Sequence, residues 1–308
     1  MEKYSIEVNN LTKTFGKFVA VNNVSFKVKK GEIFGFLGAN GAGKSTTIRM
    51  LCALMEPTSG SALVGGYDIN KSPEDVKKNI GYMSQKFSLY EDLTVSENIN
   101  FFGGIYGLST EKIEERKKWV IEMAGLTGRE KSLTSTLSGG WKQRLALGCA
   151  ILHEPKIVFL DEPTGGVDPI SRRNFWDLIN NLSDQGVTIF VTTHFLDEAE
   201  YCNTIYLMQD GIIIAGGSPQ NLKKEHLKGT MLEIECDDAV SALEILEKCS
   251  FINGLSIFGT YIHAYVSDEA IGRTEITKTL EGKKITIIRI DSITPSLEDV
   301  FIHLIEKK

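Results

Sequence analysis

An α/β fold, with a buried parallel sheet preceded by antiparallel β-structure and followed by a smaller α+β region, is the class this 308-residue sequence predicts. Three observations carry the prediction. From Lys156 to Met208, short apolar runs of strand length alternate with helix-length segments, the rhythm of βαβ units around a sheet covered on both faces. A glycine-rich stretch over residues 38–45 lies between an apolar run and a helix-length segment. After about Lys223 the alternation changes character. The expected division is therefore 1–222 and 223–308.

Residues 1–37 read as β-structure: Ser5–Val8, then Val24–Val28 with period-two alternation, then a Lys30-Gly31 turn into a strand over 32–37. Residues 58–70 hold a glycine-rich hairpin. From about Glu91 to Leu126 the pattern turns helical, and includes the charged amphipathic stretch Glu111–Met123. Strands are expected at Lys156–Leu160, Thr188–Thr192 and Thr204–Met208, and helices at Pro169–Ser183 and Leu196–Tyr201. Beyond Lys223, strand Thr230–Cys236 leads to helix Ala239–Lys248. Strands Leu255–Phe258 and Tyr261–Val266 then flank a Gly259-Thr260 turn, before helix Asp268–Leu280 and strand Lys284–Ile290. That βαββαβ order is the ferredoxin-like arrangement, closed by an amphipathic helix from Ser296.

The net charge of −6 and pI near 5.5 offer no global argument for nucleic-acid binding. Five cysteines (Cys52, Cys149, Cys202, Cys236, Cys249) are scattered without a C-x-x-C pair, so neither a zinc site nor a disulfide framework is suggested. The amino-terminal residues lack the apolar core of a signal peptide. No apolar run approaches the ~20 residues that span a bilayer, so any work at a membrane is expected from the aqueous side.

Gly38-Ala39-Asn40-Gly41-Ala42-Gly43-Lys44-Ser45 fits G-x-x-x-x-G-K-[ST] at every fixed position. Cradling a polyphosphate needs backbone N–H groups turned into one concavity, which glycines permit. Lys44 then supplies a cation for the β/γ-phosphates, Ser45 a hydroxyl for Mg²⁺, and Thr46 opens the following helix. A nucleoside triphosphate is the expected ligand. Downstream, the apolar strand Ile157–Leu160 ends in Asp161 and Glu162, which puts carboxylates at the ligand-binding edge of a parallel sheet. Ser138-Gly139-Gly140 precedes a helical run and forms a second anion-grade helix N-terminus. Since residues 38–45 are expected to hold one set of phosphates, this second site suggests a second nucleotide. His194 follows strand Val187–Val191, where it can donate a hydrogen bond near a γ-phosphate. Asp168 before Pro169 suits a helix N-cap.

Together these motifs resemble the ATP-binding subunit of ABC transporters, over residues 1 to about 222. The resemblance implies a cassette of the P-loop NTPase class, with a RecA-like core, an antiparallel β subdomain and a helical subdomain near 87–140. Its cofactors would be ATP and Mg²⁺. Asp161 would hold Mg²⁺ through water, and Glu162 would polarise the attacking water. Leu137–Gly140 matches the first four positions of the LSGGQ signature, with Trp141 where glutamine is usual and Gln143 the familiar follower. This segment would close on nucleotide held by a second copy, or by a homologous ATPase subunit. Gln85 resembles the Q-loop glutamine, which reaches Mg²⁺ and water. Gly165–Pro169 resembles the D-loop, making Asp168 a nucleotide-site residue. Phe15 stands where the family stacks an aromatic on adenine, Phe here for the usual Tyr, and stacking needs only the ring face.

The tail from Ser292 to Leu304 resembles ATPases serving drug, antibiotic, polysaccharide and sodium efflux in bacteria. Lys131–Thr136 replaces the acidic loop of exporters with fused membrane domains, which agrees with a separate permease. Its docking segment would be roughly Phe87–Gly107. The implied role is energy coupling for export at the cytoplasmic face of a bacterial membrane, with no nucleic-acid partner. Two rival readings are non-transport ABC ATPases acting on nucleic acid or on the ribosome. The first kind carries long coiled coils and the second usually two cassettes, and this sequence has neither. The cargo belongs to the permease.

Overall fold

The computed structural model describes residues 3–86 and 88–306. Phe87, at the head of the segment expected to dock a partner, lies outside the described residues, as do Met1, Glu2, Lys307 and Lys308. The chain divides into two compact units, Met1–Gly216 and Gly217–Lys308.

In chain order the first unit contains β1 (Tyr4–Phe15), β2 (Phe18–Lys29), β3 (Ile33–Leu37), α1 (Lys44–Leu51), β4 (Ser59–Val64), β5 (Tyr67–Asp68), α2 (Pro73–Asn79) and β6 (Ile80–Met83). There follow α3 (Val95–Ile105), α4 (Thr110–Met123), α5 (Gly139–Ala150), β7 (Ile157–Asp161), α6 (Pro169–Asp184), β8 (Thr188–Thr193), β9 (Thr204–Gln209) and β10 (Ile212–Gly217). One sheet is antiparallel in the order β2-β1-β4-β5, and a six-stranded sheet runs β10-β9-β3-β8-β7-β6. Within the latter, β9, β3, β8, β7 and β6 are parallel. Every residue of β3, β7 and β8 is buried, as continuous apolar runs in a covered parallel sheet require.

An aromatic cluster joins the two sheets. Phe26 of β2 stacks on Phe34 of β3 at 5.4 Å between ring centroids, and Phe34 meets Phe190 of β8 at 5.1 Å. Such pairs contribute roughly 0.5–1.5 kcal/mol each beyond their buried area. The helices α3, α4 and α5 bury a separate cluster that includes Val95, Ile99, Val120, Leu145 and Leu152. A capping box of Thr94 and Glu97 starts α3, and Ser109 caps α4.

The helix expected over Leu196–Tyr201 is instead a single 3₁₀ turn, Glu198–Tyr201. Cys202 is already extended and β9 begins two residues later, so the segment has no room for a second turn. Three elements carried too little periodic signal to be expected: α2, β10 and the helix that opens the second unit.

The second unit contains α7 (Pro219–His226), β11 (Thr230–Cys236), α8 (Ala239–Leu246), β12 (Ile252–Phe258), β13 (Tyr261–Val266), α9 (Glu269–Glu281), β14 (Ile287–Ile293) and α10 (Leu297–Glu306). Its sheet order is β12-β13-β11-β14 with antiparallel neighbours, the ferredoxin-like arrangement expected from βαββαβ. The last strand starts three residues later than Lys284, because α9 ends in a turn where Lys284 takes φ 62° and Ile285 tucks into the core.

Alternation along β13 sends Ile262 and Ala264 to the core shared with α8 and α9, and His263 to the opposite face. There His263 Nδ1 lies 2.9 Å from Asp299 Oδ1 of α10, and its Nε2 lies 3.5 Å from Glu233 Oε2. Burial disfavours the charged ring, yet Asp299 and Glu233 outweigh it and hold the His263 pKa above its ordinary value. Burial likewise opposes the Asp299 carboxylate, but hydrogen bonds from His263 and Ser296 pull its pKa down. The pair therefore contributes stability between the two: it is lost as pH falls through the depressed Asp299 value, and as pH rises through the raised His263 value. An NMR titration of the His263 ring is expected to give a midpoint above about 6.5. Urea stability of this unit should fall as pH rises through that midpoint, and His263→Gln should abolish the fall.

Candidate nucleotide-binding site

Three strand ends form the floor of the site. Leu37 of β3 pairs with Thr193 of β8, and Asp161 of β7 pairs with Thr192. The loop after β3 then turns into α1. Its path is fixed by two close approaches. A Cβ on Gly38 (φ 156°) would lie 2.1 Å from the Met208 carbonyl oxygen, and one on Gly43 (φ 105°) 2.4 Å from that of Ala20. Both obstacles are backbone, so only glycine fits. Lys44 is 3% exposed. Its Nζ donates to Gly38 O at 2.8 Å and Ala39 O at 3.2 Å, and lies 3.2 Å from Glu162 Oε1.

Asp161 and Glu162 do different things. Asp161 Oδ1 accepts from Ser45 Oγ at 2.9 Å and from Thr192 Oγ1 at 2.8 Å. Its charge is felt nearby: burial first, then Asp161, push the Tyr82 hydroxyl up to about 12 and raise the Cys52 thiol well above its ordinary range. Glu162 takes φ 47°, a left-handed conformation costing roughly 1–2 kcal/mol for a non-glycine residue. That turn brings its carboxylate back over the sheet edge, 6% exposed, while its N–H is held by Thr192 Oγ1 at 3.0 Å. Gln85 Nε2 donates to Glu162 Oε2 at 2.9 Å, and His194 Nδ1 lies 3.2 Å from the same oxygen. Lysine, glutamine and histidine from three chain segments thus meet on one carboxylate.

Beside them opens a cavity of about 370 Å³, lined by Phe15, Phe18, Asn40, Lys44, Gln85 and Glu162 among others. Phe15 and Phe18 face each other across the turn that ends the β1–β2 hairpin, 48% and 62% exposed. Lys13 Nζ lies 5.3 Å from the Phe15 ring centroid. Phe18 escaped the sequence reading, although its register opposite Phe15 across a two-residue turn was the available signal. Thr192 escaped too: a hydroxyl in a wholly buried strand was its signal.

Ser138, Gly139, Gly140 and Asp168 do not line this cavity. They form a second surface. Ser138 is the N-cap of α5 but its side chain caps nothing, and Ser138 and Gly139 are exposed. The first N–H groups of α5 thus keep the anion affinity of a free helix start. Gly140 packs so tightly on α6 that a Cβ would meet Ser171 Oγ at 2.4 Å. Asp168 caps α6 by accepting from Ser171 N at 2.9 Å, and these bonds hold its carboxyl below the usual range. Buried Gln143 of α5 donates to Pro163 O at 2.8 Å, so this second surface is bolted to the residue after Glu162.

Residues 21–165 match the ABC transporter family model, and residues 217–305 match the C-terminal domain of DrrA1-3-like ATP-binding proteins. The chain is 53% identical over 220 residues to the probable multidrug ABC transporter ATP-binding protein YbhF of Escherichia coli, covering 71% of this chain but 38% of that longer one. It is 34% identical over 303 residues to the linearmycin resistance ATP-binding protein LnrL of Bacillus subtilis, covering 97% of both. Among solved structures, a dimeric ATP-binding cassette in a post-hydrolysis state, bound to ADP and Pi, aligns with a TM-score of 0.64 at 27% identity. That alignment covers 69% of this chain and 98% of the other.

Gly38→Ala is expected to destabilise the first unit by about 1–3 kcal/mol, the usual cost of overpacking. A urea titration of tryptophan fluorescence reads this directly, since Trp119, Trp141 and Trp176 are the chain's three tryptophans and all lie in that unit.

Proposed function

Because the chain belongs to the ABC transporter family of ATP-binding proteins, we propose that it is the ATP-hydrolysing, energy-coupling subunit of an exporter whose permease is a separate chain. The observation that carries this reading is the convergence of Lys44, Gln85 and His194 on Glu162. A general base must be both close to the reacting centre and held in one orientation, and three donors on one carboxylate provide that.

The adenine ring stacks on Phe15, with Phe18 widening the platform. Backbone N–H groups of residues 38–46 enclose the β- and γ-phosphates, and Lys44 turns from Glu162 to the γ-phosphate as the nucleotide enters. Glu162, kept in place by Gln85 and His194, then takes the proton of the attacking water. Ser45 Oγ, the Asp161 carboxylate and the Gln85 amide oxygen would hold Mg²⁺. They are hard oxygen donors of the kind that ion takes, and the first two already sit 2.9 Å apart. When bound, the ion neutralises charge on the transferring phosphoryl group.

A second copy, or a homologous ATPase subunit, completes the site through Ser138, Gly139, Gly140 and Asp168. Support comes from their position outside the cavity of their own chain, with an uncapped helix start facing solvent. Two ATP molecules then lie between two subunits, and hydrolysis releases the pair.

The permease docks on the helical region. Tyr90, Phe101 and Ile105 are 49%, 40% and 61% exposed, and Tyr90 and Phe101 pack edge to face at 4.6 Å, forming an apolar ridge of the kind that marks a partner. Among the described residues, no helix is long and apolar enough to cross a membrane. The multidrug and linearmycin-resistance relatives favour export of drug-like cargo across a bacterial membrane, driven from its cytoplasmic face.

Two substitutions test the reading. Glu162→Gln keeps the shape of the side chain and one acceptor oxygen for Gln85 and His194, but puts an NH₂ in place of the oxygen facing Lys44 and removes the base. ATP should still bind, hydrolysis should fall by a factor of about 10²–10⁴, and an ATP-dependent dimer should accumulate in light scattering. Normal turnover by a monomer would refute the assignment. Lys44→Ala should weaken ATP binding at least tenfold in a fluorescent-nucleotide titration, an unchanged affinity being the adverse result.

A further inference from the structure

One buried amide ties the partner-facing ridge to the second surface. Asn98 lies on α3 among Val95, Ile99 and Val120, and is 0% exposed. Burying a polar side chain in an apolar cluster is costly unless its groups are bonded. Here they are all used. Asn98 Oδ1 accepts from Tyr90 N at 2.9 Å. Asn98 Nδ2 lies 2.9 Å from both Tyr90 O and Thr134 Oγ1, with Thr94 O at 3.2 Å and Leu93 O at 3.5 Å. An amide has two N–H groups, and the two shortest contacts take them. The Tyr90 N–H fixes which way the amide faces.

The segments so joined are distant in sequence and adjacent to the two working surfaces. Tyr90 lies five residues after Gln85, and its ring is part of the exposed ridge. Thr134, itself 0% exposed, lies four residues before Ser138. Around the amide the same segments pair through backbone bonds: Thr134 N to Leu93 O at 2.9 Å, Ser135 N to Glu91 O at 3.0 Å, and Val95 N to Ser132 O at 3.1 Å. At the margin, Lys142 Nζ of α5 reaches Glu91 Oε1 at 2.6 Å. The backbone pairs set the register of the two strips, and the buried amide is the side chain that bonds α3 to both of them at once.

We propose that Asn98 is a positioning residue: it makes the strip carrying Tyr90 and the strip entering Ser138-Gly139-Gly140 one rigid body, so that a push on the ridge moves the half-site offered to the second nucleotide. This rests on the reading of Ser138–Gly140 as that half-site. The chain's own phosphate loop is outside the body and is not moved by it.

Asn98→Asp tests this with almost no change of shape. It keeps the acceptor for Tyr90 N, removes both donors and sets an oxygen against Tyr90 O. In hydrogen exchange of the nucleotide-free full chain, amides of residues 88–94 and 133–139 should exchange at least tenfold faster together, while residues 38–50 keep their protection. In the Glu162→Gln background, affinity for a fluorescent ATP analogue should stay within twofold, while the ATP concentration for dimer formation rises at least tenfold. Thr134→Val cuts the same link from the other side and should give the same dimer defect. Deprotection of one strip alone, or loss of ATP affinity in step with dimer loss, overturns the proposal. So does unchanged dimer formation where Glu162→Gln itself dimerises. If Glu162→Gln forms no dimer with ATP, the dimer reading fails instead, and the exchange experiment still decides whether Asn98 welds the strips.

Discussion

The placement of one carboxylate organises the molecule. Glu162 stands one residue past the end of β7, in a backbone conformation its side chain disfavours, and strain of this kind persists only where the surroundings over-determine it. Here the surroundings are Thr192 on its N–H and Lys44, Gln85 and His194 on its oxygens. They arrive from three stretches of chain: the phosphate loop, the segment after β6, and the end of β8, which supplies both Thr192 and His194. The parallel sheet matters because it brings those ends to one edge in register. The aromatic cluster of Phe26, Phe34 and Phe190 matters because it keeps the sheet flush against the hairpin that carries Phe15.

Much of this was legible in the sequence, for a physical reason. Residues suited to meet a phosphate or a metal ion are of a few types, so Lys44, Ser45, Asp161, Glu162 and His194, as proposed site residues, stand out by type and spacing. The strands under them are buried on both faces and read as unbroken apolar runs. The ferredoxin-like order of the second unit was legible because each of its elements is separated by a turn. Positions that work through geometry were silent. Thr192 and Gln143 are ordinary polar residues until the fold sets a hydroxyl against Asp161 and an amide against Pro163 O. Asn98 looked like any residue in a helical run. The 3₁₀ turn at Glu198–Tyr201 was misjudged because periodicity cannot see that β9 starts so soon.

The second surface follows a different logic from the first. The phosphate loop is closed upon itself, with Lys44 tethered to the carbonyls of its own loop. The start of α5 is left open: its N-cap serine makes no cap bond, while Gly140 presses on α6. A helix start without internal partners is a standing deficit of hydrogen bonds, tolerable in water and better satisfied by an anion. Gln143 connects that deficit to the residue after Glu162, so the two surfaces are mechanically close.

The hairpin tip has a consequence for how the molecule behaves as a solute. Phe15, Phe18 and Val19 project into water at 48%, 62% and 41% exposure, a small greasy promontory on an otherwise acidic particle. A purine stacked on Phe15 as proposed would cover part of that promontory, and every ligand that binds only the folded chain also weights the folded state by mass action. On the proposed stacking, nucleotide would therefore condition the protein's colloidal character as well as fuel it, the chain being stickier without ATP than with it.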